Sequence, residues 1–377
     1  MKEVPAPNVS LWPPAGMSRL PRRLLVTGGA GFIGSHFVRR VLARHRDVHV
    51  TVLDKLTYAG NLANLADVAG DPRYRFVHGD ISDPVAVDRV AGEVDAIVNF
   101  AAESHVDRSI EEPDAFIQTD IHGTFVLLEA ALRQGGAGFL QISTDEVYGN
   151  VPDGKSGEDD PLRPSSPYSA SKAGGDLLVR AYQATYQVPA MVTRTTNNFG
   201  PNQYTEKVIP LFITNAIDGL PLPIYGDGHQ TREWLYVTDH CDALELVLER
   251  GEPGEVYNIG SGYELSNLEL AHRILALTRR SASLVQHVED RPGHDRRYSV
   301  DWSKLRKLGW QPAHRFEEAL AATVEWYRAH EAWWRPLKSG EYLDSYRRQL
   351  RSPRTRRRAI LRRSVVTSPD REPRVRL

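Results

Sequence analysis

The sequence predicts an α/β protein, a doubly wound parallel sheet followed by a smaller mixed α/β lobe. Three observations carry that expectation. Short apolar runs alternate with helix-length amphipathic segments from residue 22 to about residue 196, the pattern of right-handed βαβ units. A glycine-rich turn ends the first of these runs. After residue 196 the alternation stops. Stretches rich in Pro and Gly, such as GLPLPIYG (219–226) and residues 254–262, then read as loops and short strands capping the open end of the sheet.

The elements follow in order. Residues 1–20 are Pro-rich, lack the apolar core of a signal peptide and are expected to be disordered, with Met17 an alternative start. Strands are expected at 22–27, 49–53, 74–78, 96–100, 138–142 and 190–194, and helices at 32–43, 115–133 and 167–186. These place a cofactor-binding and catalytic domain over 21–196. A substrate lobe is expected over 197–340, with some return to the sheet and amphipathic helices at 268–279 and 316–330. From 341 a basic tail follows, with Arg347-Arg348, Arg356-Arg357-Arg358 and Arg362-Arg363. It reads as solvated and disordered, with contact to a polyanion or partner as the alternative.

Composition excludes several classes. The 377 residues are 41% hydrophobic and 25% charged, ordinary for a soluble two-lobed chain. A net charge of −1 gives no general attraction to nucleic acid or membrane. One cysteine, Cys241, rules out an internal disulfide or cysteine-built zinc site, leaves no metal site expected, and suits a reducing, cytoplasmic setting. No run approaches the roughly 20 apolar residues that span a bilayer.

VTGGAGFIGSH (26–36) ends the first strand and opens a helix. Gly29, Gly31 and Gly34 satisfy G-x-G-x-x-G, and Gly28, Gly31 and Gly34 the looser G-x-x-G-x-x-G. Glycines allow a tight turn and close approach of the backbone to a pyrophosphate, while the helix N-terminus offers free N–H groups. Such a triplet alone is weak evidence. Asp54, about twenty residues further on at the end of the second strand, strengthens it. A carboxylate there accepts from the adenosine ribose and repels a 2′-phosphate, so NAD is expected over NADP. Asp80 in HGDIS (78–82) is placed for the adenine edge.

SPYSASKAGGD (166–176) sets Tyr168 and Lys172 four apart on one helix face. After a dinucleotide cradle this is a reactive pair. The ammonium is expected to lower the phenol pKa from about 10 toward neutrality, so that tyrosinate can take a hydroxyl proton as hydride leaves for NAD. Here the chain resembles the extended short-chain dehydrogenase/reductase superfamily, over residues 22 to about 310, and a Rossmann-type domain is implied.

STDEVYG (143–149) adds something that an alcohol oxidation does not need: adjacent carboxylates, Asp145 and Glu146. Oxidising a sugar C4 hydroxyl acidifies the C5 proton. A base at C5 and an acid at the C6 hydroxyl then eliminate water, and hydride returned to C6 closes the cycle. Consecutive strand residues face opposite ways, so the strand must end by Thr144 if both carboxylates are to meet one ligand.

LDKLTYAGN (53–61), AAESHVDRSI (101–110), STDEVYG, NNFGPNQ (197–203), EKVIPL (206–211), GDGHQTREWLYVTDHC (226–241) and DRPGHDRRY (290–298) together resemble the dTDP-glucose 4,6-dehydratase family. In that resemblance Asp145 is the discriminating residue. Related epimerases carry Ser-Ser-Ala-like triplets there, and UDP-glucuronate decarboxylases and GDP-mannose dehydratases carry Thr-Ser-Glu. The resemblance implies Thr144 on the sugar 4-oxygen, Asp145 as acid, Glu146 as base, and Tyr168 with Lys172 for oxidation. It also implies that Gly28, Gly31, Phe32, Ile33, Gly34, Asp54, Lys55, Leu56, Thr57, Asp80, Ile81, Phe100, Ala101, Ala102, Ser104, Thr119 and Asn198, with Tyr168 and Lys172, bind NAD. Ser104, Thr144 and Asn197 would meet the sugar, and Arg232 and Arg291 its diphosphate. Lys207, Val208, Pro223, Ile224 and Tyr225 would wall the base, with Asn267, His294 and Tyr298 near the ribose and phosphates. A homodimer through helices 115–133 and 169–186 is implied as well.

Thr195-Thr196, Phe199 and Asn202-Gln203-Tyr204 depart from the commonest family wording, which leaves the base open between dTDP and UDP. Epimerisation or decarboxylation on the same scaffold is the alternative chemistry. A non-catalytic NAD-binding scaffold is the alternative class, which the presence of Tyr168, Lys172 and Glu146 disfavours.

Overall fold

The computed structural model describes residues 20–338 apart from Glu93; the expectations for 1–19 and for the tail beyond 338 lie outside the described residues. A seven-stranded sheet, all pairs parallel, runs in the order β10-β6-β5-β4-β1-β2-β3. Its strands are β1 (Arg23–Thr27), β2 (His49–Asp54), β3 (Tyr74–His78), β4 (Ala96–Asn99), β5 (Gly138–Thr144), β6 (Ala190–Thr195) and β10 (Val256–Ile259). The reversal of strand order beside β1 opens the crevice in which such sheets bind ligands.

Both sheet faces are covered, as parallel sheets require. In β1, Leu24 and Val26 enter one core and Leu25 the other, the period-two alternation of a strand. The helices over these faces are α1 (Phe32–Arg44), α2 (Pro84–Ala91), α5 (Thr124–Arg133), α6 (Pro167–Tyr186) and α8 (Val237–Arg250), the last packed against α1. α3 (Val106–Glu111) and α4 (Pro113–Phe116) connect β4 to α5.

Two sequence expectations change. Residues 254–262 do not merely cap the sheet, because β10 extends it, pairing Val256 with Val192 and Ile259 with Thr195. The helix expected over 115–133 is not continuous either. Ile117–Gly123 is a π-helical segment between α4 and α5. The wider turn carries Asp120 into the interior, where it accepts from the Ser171 hydroxyl (2.6 Å) and the Glu103 N–H (3.0 Å); π-bulges recur at functional sites.

The second lobe holds a three-stranded sheet, β11-β9-β7, and a two-stranded one, β12-β8. Their ranges are β7 (Asn197–Phe199), β8 (Leu222–Tyr225), β9 (Thr231–Tyr236), β11 (Glu264–Ser266) and β12 (Val285–Val288). With α7 (Val208–Asp218), α9 (Asn267–Thr278) and α11 (Phe316–Ala329) they enclose a separate apolar core. α10 (Ser303–Lys307) lies against β10. Among the described residues no helix is long and apolar enough to cross a membrane.

Candidate active site

A cleft of about 300 Å³ opens along the carboxyl ends of the sheet strands. Its floor is the turn between β1 and α1. Gly28 adopts φ +66°, and a Cβ there would meet Ala101 N at 2.6 Å; at Gly34 a Cβ would meet the Gly28 carbonyl oxygen at 2.5 Å. Backbone closeness thus demands glycine at both. Asp54 ties the next strand end to this turn, accepting from the Ala30 N–H (2.9 Å) and the Leu56 N–H (2.8 Å). Burial raises its pKa. Across the cleft Lys55 pairs with Asp80 at 2.7 Å.

The catalytic candidates meet at the other end. β5 stops at Thr144, and Asp145–Tyr148 form a 3₁₀ turn capped by the Thr144 hydroxyl, which accepts from the Glu146 N–H (3.3 Å). The strand therefore ends where both carboxylates can face one cavity, and Asp145 and Glu146 both line the cleft. Asp145 is 2% exposed. Burial, and then the charges of Glu146 and Glu233, hold its carboxyl well above the usual range, which favours its protonated form. Its Oδ1 accepts from the Thr144 hydroxyl at 3.1 Å.

Tyr168 and Lys172 sit in the first turns of α6, whose N-terminus carries a reciprocal Ser166/Ser169 capping box. Tyr168 lines the cleft beside Thr144. The phenol pKa is raised rather than lowered. Lys172 Nζ donates to the Ile142 carbonyl (2.8 Å), while burial and the charges of Glu146 and Asp120 push Tyr168 well above its ordinary value.

Of the residues named for the cofactor, all but Leu56 line the cleft. Leu56 gives it only a backbone, at φ +53°, and its side chain packs on the main core. Of those named for substrate, Ser104, Thr144, Asn197 and Lys207 line the cleft, with Lys207 Nζ on the Ser104 carbonyl. The others lie outside its lining. Arg232 lies 4.3 Å over the Tyr298 ring, whose hydroxyl donates to Asp295 (2.8 Å). Arg291 pairs with Asp107 (3.4 Å), which also accepts from Tyr225 (2.6 Å), and His294 bonds Asp290 (2.6 Å). The fields of Asp145 and Glu146 reach Arg232, and that of Glu146 reaches Arg291, so this basic cluster borders the catalytic end. Ile224 and Pro223 are buried in β8, Ile224 within the second core, Val208 packs on that core, and Asn267 opens α9. Phe199, one of the departures from family wording, is also core, whereas Thr195 and Thr196 line the cleft.

Sequence reasoning gave no role to Glu103 and Glu206, which line the cleft too. Glu103 is pushed up to about 6 by burial and by Asp120. Both lie in the segments AAESHVDRSI and EKVIPL, and the place of Glu103 four residues past the end of β4 was the available signal.

The residues fit a dinucleotide followed by a polar sugar. The glycine turn presents the α1 N-terminus, and Asp54 and Asp80 lie further along. Among the described residues Asp145 Oδ2, Asn197 Oδ1 and Asn198 Oδ1 are buried without a hydrogen-bond partner, and buried polar atoms call for one.

Several known proteins are similar to this chain. A family model described as GDP-mannose 4,6 dehydratase matches residues 25–323. The dTDP-glucose 4,6-dehydratase of Streptomyces niveus is 55% identical over 84% of this chain and 96% of that protein. The low-salt glycan biosynthesis protein Agl12 of Haloferax volcanii is 56% identical over 81% of this chain and 98% of that one. The crystal structure of DesIV, a dTDP-glucose 4,6-dehydratase from Streptomyces venezuelae solved with NAD bound, superposes with a TM-score of 0.82 at 54% identity. That match covers 84% of this chain and all of DesIV. On sequence, fold and cleft together, the chain belongs to the dTDP-glucose 4,6-dehydratase family.

Proposed function

We propose that this chain is an NAD-dependent hydro-lyase that converts dTDP-glucose to dTDP-4-keto-6-deoxyglucose and water. One observation carries the reading: a buried Asp145, its pKa raised, beside Glu146 on a 3₁₀ turn that faces the Tyr168/Lys172 cleft. An epimerase needs no such acid.

The glycine turn of residues 28–34 cradles the pyrophosphate at the α1 N-terminus, Asp54 holds the adenosine ribose, Asp80 and Ile81 border the adenine, and Thr119, Asn198 and Lys172 flank the nicotinamide end. NAD, when bound, supplies a two-electron acceptor for the first step that becomes the donor for the last. Thr144 and Tyr168 hold the sugar 4-oxygen, and Tyr168 exchanges the proton there. Glu146 takes the C5 proton and Asp145 gives its own to the C6 hydroxyl, which leaves as water, and Glu146 returns its proton to C5 as the 6-deoxy carbon is completed; each such transfer is worth about 10²- to 10⁴-fold in rate when well placed. Arg232 and Arg291 bind the diphosphate, where the guanidinium fork suits paired oxygens. Lys207, Val208 and Tyr225 face the base, with Pro223 and Ile224 supporting that wall from the core, while Asn267, His294 and Tyr298 complete the ribose end.

We also place the enzyme in the cytoplasm, which its free, buried Cys241 suits, and infer a homodimer from an apolar face taken up in the Discussion. The test is incubation with dTDP-glucose and UDP-glucose in separate tubes without added reductant. A product lighter by one water, with no net reduced cofactor and faster from dTDP-glucose, is expected. A sugar isomer of unchanged mass would establish epimerisation instead, and no reaction with either would favour a binding-only protein.

A further inference from the structure

We propose that Tyr148 is a positioning residue for the elimination steps: its hydroxyl sets the angle of the turn that presents Asp145 and Glu146, without touching substrate. The inference rests on the function proposed above.

The turn is four residues long, so it has little to hold it internally. A 3₁₀ helix has three residues per turn, which stacks side chains i and i+3 on one face. Tyr148 is therefore directly one turn beyond Asp145. Whatever pins Tyr148 fixes the rotation of the whole turn, and with it the directions of Asp145 and Glu146. Val147, on another side of the turn, is fully buried in a small cluster with Ala173 of α6 and Val300. The exit is also fixed. Gly149 takes φ +75°, and a Cβ there would strike the Arg163 carbonyl oxygen at 2.1 Å.

The anchor is built from three different elements. The Tyr148 hydroxyl donates to Asn258 Oδ1 on β10 (2.8 Å) and accepts from Arg194 Nη1 on β6 (2.8 Å). The Arg194 guanidinium also stands over the Tyr148 ring, 4.9 Å from its centre. Arg194 Nε donates in turn to Asp176 Oδ2 on α6 at 3.0 Å, an ion pair with side chains 1% and 0% exposed. Asp176 lies one turn along α6 from Lys172. Asn258 is held by the Ser156 and Asp301 carbonyls (3.0 and 3.1 Å). Tyr148 itself is outside the lining of the cleft. The network thus ties the elimination turn to the helix that carries the oxidation pair. A misplacement of about 1 Å at such a site can cost about 10²-fold in rate.

The test compares Tyr148→Phe and Asn258→Ala with the wild type in single turnovers of dTDP-glucose. Thr278→Val, which removes a buried hydroxyl in α9 remote from the cleft, is the control. Oxidation is read from the absorbance of the reduced nicotinamide, and elimination from the loss of water by mass. Thermal midpoint and bound NAD report the fold. The expected result is an oxidised, undehydrated sugar with reduced cofactor accumulating in both variants. Water loss should be slower by about tenfold or more, with KM within about twofold and NAD content unchanged. The control should shift the thermal midpoint without this partition. Loss of oxidation and elimination in equal measure, or of neither, would overturn the inference. Failure to recover either variant folded would also overturn it, since the bonds would then serve the fold alone. A wild type that never dehydrates dTDP-glucose would instead sink the proposed function.

Discussion

Asp145 and its neighbour Glu146 have the same chemistry and adjacent positions, yet the structure treats them differently. Asp145 is sealed from water against two other carboxylates, and its pKa is raised by burial first and by Glu146 and Glu233 second. A carboxyl whose folded pKa exceeds its unfolded value contributes its full stability below about pH 4 and loses it as the pH climbs through the folded value. Asp145→Asn removes that pH-dependent cost while its amide oxygen can still accept from Thr144. The variant should melt higher than wild type near pH 8 and level with it near pH 4, while kcat falls about 10²- to 10⁴-fold. Calorimetry across that range decides it: an equal or lower midpoint at pH 8 would mean that Asp145 is ionised in the folded protein. This residue's candidacy was legible in the sequence because two carboxylates at a strand end have few structural uses. The rise in its pKa was not, since Glu233 lies 88 residues away along the chain and only the fold brings its field to bear.

At the scale of elements, most of the sheet was readable because each strand is a run of apolar residues bounded by turn signals. Tyr74–His78 is observed as expected, and Pro167–Tyr186 begins at a Ser-Pro that fixes its first turn. β10 was missed for a physical reason. It is four residues long between glycine-containing segments and becomes a strand only by pairing with β6, a tertiary decision that no local pattern encodes. The π-helical break at Ile117–Gly123 was equally hidden, since its cause is Asp120 reaching Ser171 across space. The β1–α1 turn, in contrast, follows from its glycines. Gly34→Ala would place a methyl 2.5 Å from the Gly28 carbonyl oxygen, so the turn must open. The variant should fold but lose the rise in thermal midpoint that added NAD gives the wild type, a rise of RT ln(1 + [L]/Kd) when ligand binds only the folded state. An undiminished rise would show that the turn is not where the cofactor binds. β6 and α6 are clamped by Arg194 and Asp176. Asp176→Asn leaves a buried guanidinium without its counter-charge and should cost about 3–5 kcal/mol by urea denaturation; a loss under about 1 kcal/mol would show that the clamp is dispensable.

At the scale of the whole molecule, the described residues leave one apolar face uncovered among themselves. Ile117 (51% exposed), Phe125 (39%), Leu177 (54%) and Tyr186 (40%) stand on the segment from the π-helical break through α5 and on the neighbouring α6. Phe125 meets Tyr182 edge-on at 6.5 Å, and Tyr182 meets Tyr186 at 5.1 Å, so the aromatics run as a strip along these helices. Clustered exposed apolar groups of this kind mark an interface in a soluble protein. Two such helices from each of two copies, related by a twofold axis, would close a four-helix bundle with no edge left open. Leu177 is five residues beyond Lys172, about 140° round the helix at 3.6 residues per turn. α6 would thus face the cleft on one side and a second copy on the other, and dimerisation would stiffen the helix that carries Tyr168. Leu177→Arg should halve the sedimenting mass from two chains to one. Every cleft residue named above comes from a single chain, so bound NAD should persist in the monomer. A wild type that sediments as one chain, or a variant that stays paired, would remove the reason for this strip to be apolar.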